Sequence, residues 1–90
     1  MKISFDPAKR DWTLLQRGLD FVEAAMVFAA PVYEKEDLRF DYGEMRIITV
    51  GHLRGRMVIV VWTPRGPARH VISMRKANER EEKAYADRIG

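Results

Sequence analysis

The sequence predicts an α+β fold: a short first strand, two helices, an antiparallel meander of three to four strands and a C-terminal helix, with the helices layered on one sheet. Three observations carry this reading. Apolar residues recur at helical spacing between Ala8 and Phe28. Gly and Pro then punctuate a series of β-rich runs from Met45 to Arg75. A charged segment behind Asn78 closes the chain.

Each element has a local reason. Lys2 to Phe5 reads as the first strand. Asp6-Pro7 supplies an N-cap and a proline at the first helical position, where the missing N–H costs nothing. Ala8, Trp12 and Leu15 fall at i, i+4 and i+7, one face of a helix that ends near Gly18. Asp20, with Glu23 three residues on, caps a second helix. Its stripe is Phe21, Ala24, Ala25 and Phe28, and Pro31 stops it. Both stripes read as structural, facing a core. Val32-Tyr33 leads into a weak edge strand over Glu34–Asp37. Met45 to Leu53 and Met57 to Thr63 are strands joined by a tight Arg54-Gly55 turn, and the run VIVVW marks the second as central. Pro64 to Pro67 turns the chain into a last strand, Arg69 to Arg75. Asn78 caps the final helix with Glu81 at its third position, and Tyr85 and Ile89 are its few apolar contacts.

Ninety residues suit a single domain spanning 1–90, and 47% apolar residues support a packed core. The chain has no cysteine, which excludes a disulfide framework, an Fe–S cluster and a thiolate zinc site. Two histidines are too few for a metal site without carboxylate help, so no metal and no cofactor are expected. No apolar run approaches the roughly 20 residues of a membrane span, and the N-terminus has no signal-type stretch. A cytoplasmic protein with no membrane partner is the expectation.

The net charge of +3 hides an asymmetry. Residues 1–44 carry six bases and nine acids, whereas residues 45–76 carry seven bases and no acid. Such a run favours polyanions, meaning nucleic acid or an acidic protein surface. A solvated basic sheet face is the alternative. Within the last strand, strict alternation places Arg69, Val71, Ser73 and Arg75 on one face and His70, Ile72 and Met74 on the other. Lys76, Glu79 and Arg80 follow at the junction with the helix, and Arg46 and His52 come from an earlier strand. This set suits a phosphodiester: arginine offers a fork of donors to phosphate oxygens, and histidine or glutamate moves a proton. A metal-free ribonuclease needs a base for the ribose 2′-OH, cations for the charge building on phosphorus and an acid for the leaving oxygen. A non-catalytic module that grips RNA or an acidic protein is the competing reading. Nucleophile-elbow, Walker and dinucleotide glycine patterns are absent.

Four segments resemble one family. Phe5-Asp6-Pro7-Ala8-Lys9 and Gly18-Leu19-x-Phe21-x-Glu23-Ala24 resemble the N-terminal half of the BrnT toxins. Gly43-Glu44-x-Arg46 with Val50-Gly51 resembles their central strand. Ile72-Ser73-x-Arg75-Lys76-Ala77, with Glu79, Arg80 and Tyr85 downstream, is similar to their most characteristic segment. The resemblance implies a RelE-like fold and a small ribonuclease that blocks translation within a type II toxin–antitoxin module. It also implies a BrnA-like antitoxin with a ribbon-helix-helix domain, through which alone the toxin meets promoter DNA. By matching, Arg75, Lys76, Arg80 and Glu79 are expected catalytic residues and Arg46 and Ser73 RNA-binding ones. The chemistry of the strand adds His70 to the first group and Arg69 to the second. Two positions depart from the family pattern: Arg17 stands where members often have histidine, and His70 where they commonly have arginine.

Overall fold

Asp6-Pro7 diverts the chain from strand to helix. A computed structural model of the chain describes residues 2–89. Lys2–Phe5 is strand β1 and Pro7–Arg17 is helix α1. Asp6 accepts a hydrogen bond from the Ala8 N–H at 2.9 Å, and Gly18 ends the helix in the left-handed region at φ 69°. Asp20 then accepts from the Val22 N–H at 3.0 Å and from two Arg10 guanidinium nitrogens at 3.0 and 2.8 Å, pinning the next turn to α1. Phe21–Glu23 is a single 3-10 turn, and α2 (Ala24–Ala29) follows it. The remaining elements are β2 (Tyr33–Glu36), β3 (Ile47–Leu53), β4 (Arg56–Arg65), β5 (Ala68–Lys76) and α3 (Glu79–Tyr85).

The strand order is β1-β5-β4-β3-β2. β2 to β5 form the expected antiparallel meander, and β1 adds to β5 in parallel, from Lys2 opposite Ala68 to Phe5 opposite Val71. The sheet is therefore five-stranded and mixed, where the sequence predicts an antiparallel one of three to four strands. Two-residue turns set the meander: Arg54 and Gly55 both have positive φ, 51° and 78°, as the primed hairpin turn requires. β4 runs on through Pro64 and Arg65, so its turn shrinks to Gly66-Pro67.

One irregularity matters for function. Val61 lies opposite Ser73 but Trp62 lies opposite Val71, so Ile72 is an extra residue in β5. The bulge resets the alternation. Arg69, Val71 and Met74 face the side covered by α1 and α2, and His70, Ser73 and Arg75 face the other. Arg69 is thus separated from Ser73 and Arg75, contrary to strict alternation.

Two apolar clusters flank the sheet. Phe21, Ala24 and Val27 pack with Val58, Val60, Trp62, Val71 and Met74 on one side. On the other, Val50, Met57, Ile59 and Ala77 meet Tyr85 and Ile89 from the α3 segment. At Gly51 a Cβ would lie 2.8 Å from Val27 Cγ1, so β3 needs glycine for α2 to approach it. The α1 stripe departs from expectation: Trp12 is 54% and Leu15 81% exposed, and Thr13 is the buried residue. α1 sits against the β5 edge beyond the end of β1, where Arg17 donates to the Met74 carbonyl at 3.1 Å, and its apolar side looks outward. Among the described residues no helix is long and apolar enough to cross a membrane.

Candidate active site

The acid-free run of sequence is not acid-free in space. Five of its seven bases meet glutamates from elsewhere: Arg46 and Arg65 pair with Glu44, Arg54 with Glu23, Arg56 with Glu82 and Arg75 with Glu81. Arg69 lies over the Phe28 and Trp62 rings at 4.4 and 4.7 Å. Pairs at a surface contribute little each, so the exposed Arg54, Arg56 and Arg65 stay available to a competing anion.

The face opposite α1 and α2 holds a cavity of about 210 Å³ between the sheet and α3. Ile48, Ile59 and Val61 form its apolar floor. Around the rim stand Lys35, Arg39 and Arg75, with the hydroxyls of Ser73 and Tyr85 and the carboxylate of Glu81. Lys35 comes from edge strand β2 opposite Ile48, and its ammonium donates to Tyr85 Oη at 3.1 Å. Arg39 is held by the buried Asp37, which accepts from its Nε and Nη2 at 2.8 Å each and from Tyr42 Oη at 3.0 Å. That hydrogen bonding keeps the Asp37 carboxyl well below the usual carboxylate range.

Arg75 is clamped in the same manner. Its two terminal nitrogens reach the two Glu81 oxygens at 2.8 and 2.7 Å, and Glu81 also accepts from the Asn78 N–H at 3.0 Å to complete the capping box. Hydrogen bonding from Arg75 holds the Glu81 carboxyl at about 2, although burial pushes the other way. This lowered value makes the clamp a stabilising device that is complete above the ordinary carboxylate value near 4.5. Its contribution is lost as pH falls toward 2. Denaturant titrations in that window are expected to show a shallower acid-side loss of stability in Arg75→Gln than in the wild type. Equal slopes would mean that the pair contributes nothing.

Cations, hydroxyls and one orienting carboxylate surround an apolar floor, and such cations and hydroxyls are donors able to bind a phosphate. Comparison with known families matches residues 5–81 to the one described as ribonuclease toxin, BrnT, of type II toxin-antitoxin system. The chain belongs to the BrnT toxin family. No curated protein shows significant similarity to it.

BrnT members are ribonuclease toxins. Of the residues expected from the sequence, the structure brings Ser73 and Arg75 together in the cavity. Lys76 lies opposite Val58 at the end of β5, exposed, and on the α1/α2 side by register. Arg80 is exposed in the first turn of α3, and the exposed Glu79 pairs with Lys83 at 3.3 Å. Arg46 immediately precedes β3, with its guanidinium over the Tyr42 ring at 4.0 Å. His70 sits at the far end of β5, its Nδ1 2.9 Å from Ser4 Oγ, and burial followed by nearby Arg65 pushes it below its ordinary value. It therefore favours the neutral imidazole. Among the described residues no group of three or more His, Asp or Glu side chains is placed to hold a metal ion.

Four cavity residues escape the sequence reading: Lys35, Arg39, Glu81 and Tyr85. Lys35 and Arg39 are embedded in the most acidic segment of the chain, where charge counting hides them. One signal was available for Lys35, since alternation along the β2 strand places it on the same face as Tyr33, away from Glu34 and Glu36.

Proposed function

We propose that this BrnT-family chain is one domain, residues 1–90, acting as a metal-independent endoribonuclease that arrests translation in the cytoplasm. The convergence of Lys35, Arg39 and Arg75 with two hydroxyls in one cavity carries this reading. In-line attack of a ribose 2′-OH on its own 3′-phosphate builds negative charge on the phosphoryl oxygens, and fixed cations stabilise that charge without reorganising. Arg75 is the principal cation. Its fork has five N–H donors and Glu81 takes two of them, leaving others for a phosphate oxygen. Glu81 is a positioning residue, already ionised and locked. Lys35 and Arg39 complete the cationic wall and Ser73 donates to a non-bridging oxygen. The 2′-OH gives up its proton to solvent water as the new P–O bond forms, and Tyr85, hydrogen-bonded by Lys35, donates its phenolic proton to the 5′-oxygen as that P–O bond breaks.

Lys76 and Arg80 are exposed and Arg46 half-buried, and in this proposal they meet neighbouring phosphates of the strand. His70, Glu79 and Arg69 stand outside the cavity, and their place in the proposal is along the RNA path rather than at the reacting phosphate. The layout, two helices behind the sheet and a cationic front face, supports a RelE-like reading of the fold. A type II module requires an antitoxin. A BrnA-like protein with a ribbon-helix-helix domain fits, its acidic segment crossing the front face over Arg46 and Arg75. Promoter DNA would be met only through it.

The test is incubation of purified protein with a long single-stranded RNA in excess EDTA. Fragments should accumulate at a rate independent of the chelator. Intact RNA, or cleavage that returns only with a divalent cation, overturns the reading.

A further inference from the structure

A second cleft, of about 360 Å³, lies between α1 and the outer edge of β5. Lys9, Trp12, Thr13 and Arg17 line it from the helix, and Ile72 and Ser73 from the strand. Several independent features meet there. β1 stops opposite Val71, so the β5 edge beyond it has no strand neighbour and the cleft stays open. The bulge at Ile72 swings that residue and Ser73 to the cleft margin. Trp12 is 54% exposed, an unusual position for the largest aromatic, and the Arg17 guanidinium stacks over its ring at 5.1 Å. Arg17 is itself fixed by its bond to the Met74 carbonyl. The indole is thus a held plane, with two cations, Lys9 and Arg17, beside it. Finally, Ser73 lines both this cleft and the candidate active cavity, so the two are contiguous around a single residue.

We propose that this cleft is a nucleobase subsite, in which Trp12 stacks an unpaired base of the RNA flanking the reacting phosphate while Lys9 and Arg17 hold the adjoining backbone. The proposal rests on the ribonuclease reading above and assigns its specificity-determining contact. Every nucleobase has a π face, and stacking on an aromatic side chain is worth a fold-change in affinity of about ten or more. Continuity with the candidate active cavity through Ser73, with cations at the rim, favours a bound RNA strand over a protein anchor. A single-stranded nucleic acid uses both the apolar plane and the charge.

The experiment uses a short single-stranded RNA with 2′-O-methyl groups, which binds without being cut, and an abasic strand of equal charge. Trp62 is buried, so Trp12 provides the responsive fluorescence. RNA should quench it and the abasic strand should not. Trp12→Ala should weaken RNA binding about tenfold, and Trp12→Tyr should restore most of the loss. Arg75→Ala, which weakens binding at the reacting phosphate and removes cleavage, should still show the quench once RNA is raised to saturation. Binding of RNA with Trp12 unmoved, equal quenching by the abasic strand, or loss of antitoxin capture alone in Trp12→Ala would each overturn the subsite. A wild-type protein that neither binds nor cuts any RNA would overturn the ribonuclease reading along with it.

Discussion

Arg75→Ala is expected to lower the rate of RNA cleavage by a factor on the order of 10² to 10³ and to abolish growth inhibition, with the circular dichroism spectrum unchanged. Two effects add. The substitution removes the fork aimed at the phosphoryl oxygens, and it leaves Glu81 in the cavity without the cation that clamps it. An uncompensated carboxylate then repels the phosphate it formerly helped to receive. Arg75→Lys keeps the charge but not the bidentate geometry, and is expected to fall between the two. Removing Glu81 as well should recover part of the binding lost in Arg75→Ala, because the repulsion goes with it. Growth inhibition at full strength in Arg75→Ala would take this residue out of the mechanism.

The largest effect on stability is expected at Phe21. Its ring is fully buried between the helices and the sheet and meets Phe5 edge-on, with centroids 6.0 Å apart. The single 3-10 turn that carries it is short, and its place is fixed by Asp20 and Arg10 rather than by helix length. The neighbours cannot close over the hole without moving that turn. Phe21→Ala should therefore cost about 3–5 kcal/mol. In a domain of this size that lowers the melting temperature by roughly 15–30 °C. Total stability for such a domain is on the order of 5–15 kcal/mol, so the variant should be partly unfolded at growth temperature. Urea denaturation measures it. A loss below about 1 kcal/mol would mean that the site collapses freely.

Local chemistry made much of the fold readable in advance. Asp6, Asp20 and Asn78 each cap the helix or turn they precede, and Arg54-Gly55 makes the hairpin its residues favour. What stayed hidden depended on partners far along the chain. The bulge at Ile72 lies where β5 pairs with β4 on one side and passes from β1 to α1 on the other. No residue type announces it, and without it Arg69 is assigned to the wrong face. The α1 stripe failed for a related reason, since periodicity identifies an apolar face but not whether anything covers it. Charge counting found Arg75 and missed Lys35, because the edge strand that brings Lys35 to the cavity lies in an acidic segment. Glu81 was recognised as a capping residue, and its second role became visible only with Arg75 beside it.

The chemistry of the cut tests metal-independent cleavage most directly. Wild-type protein acting on RNA in EDTA should release fragments ending in 2′,3′-cyclic phosphate and beginning with 5′-hydroxyl, because the cavity supplies cations and a proton carrier but the nucleophile comes from the ribose. A 2′-deoxy sugar at the cleavage position should block the cut. Fragments carrying 5′-phosphate, or cleavage through a deoxy position, would contradict it by showing that water rather than the 2′-hydroxyl attacks.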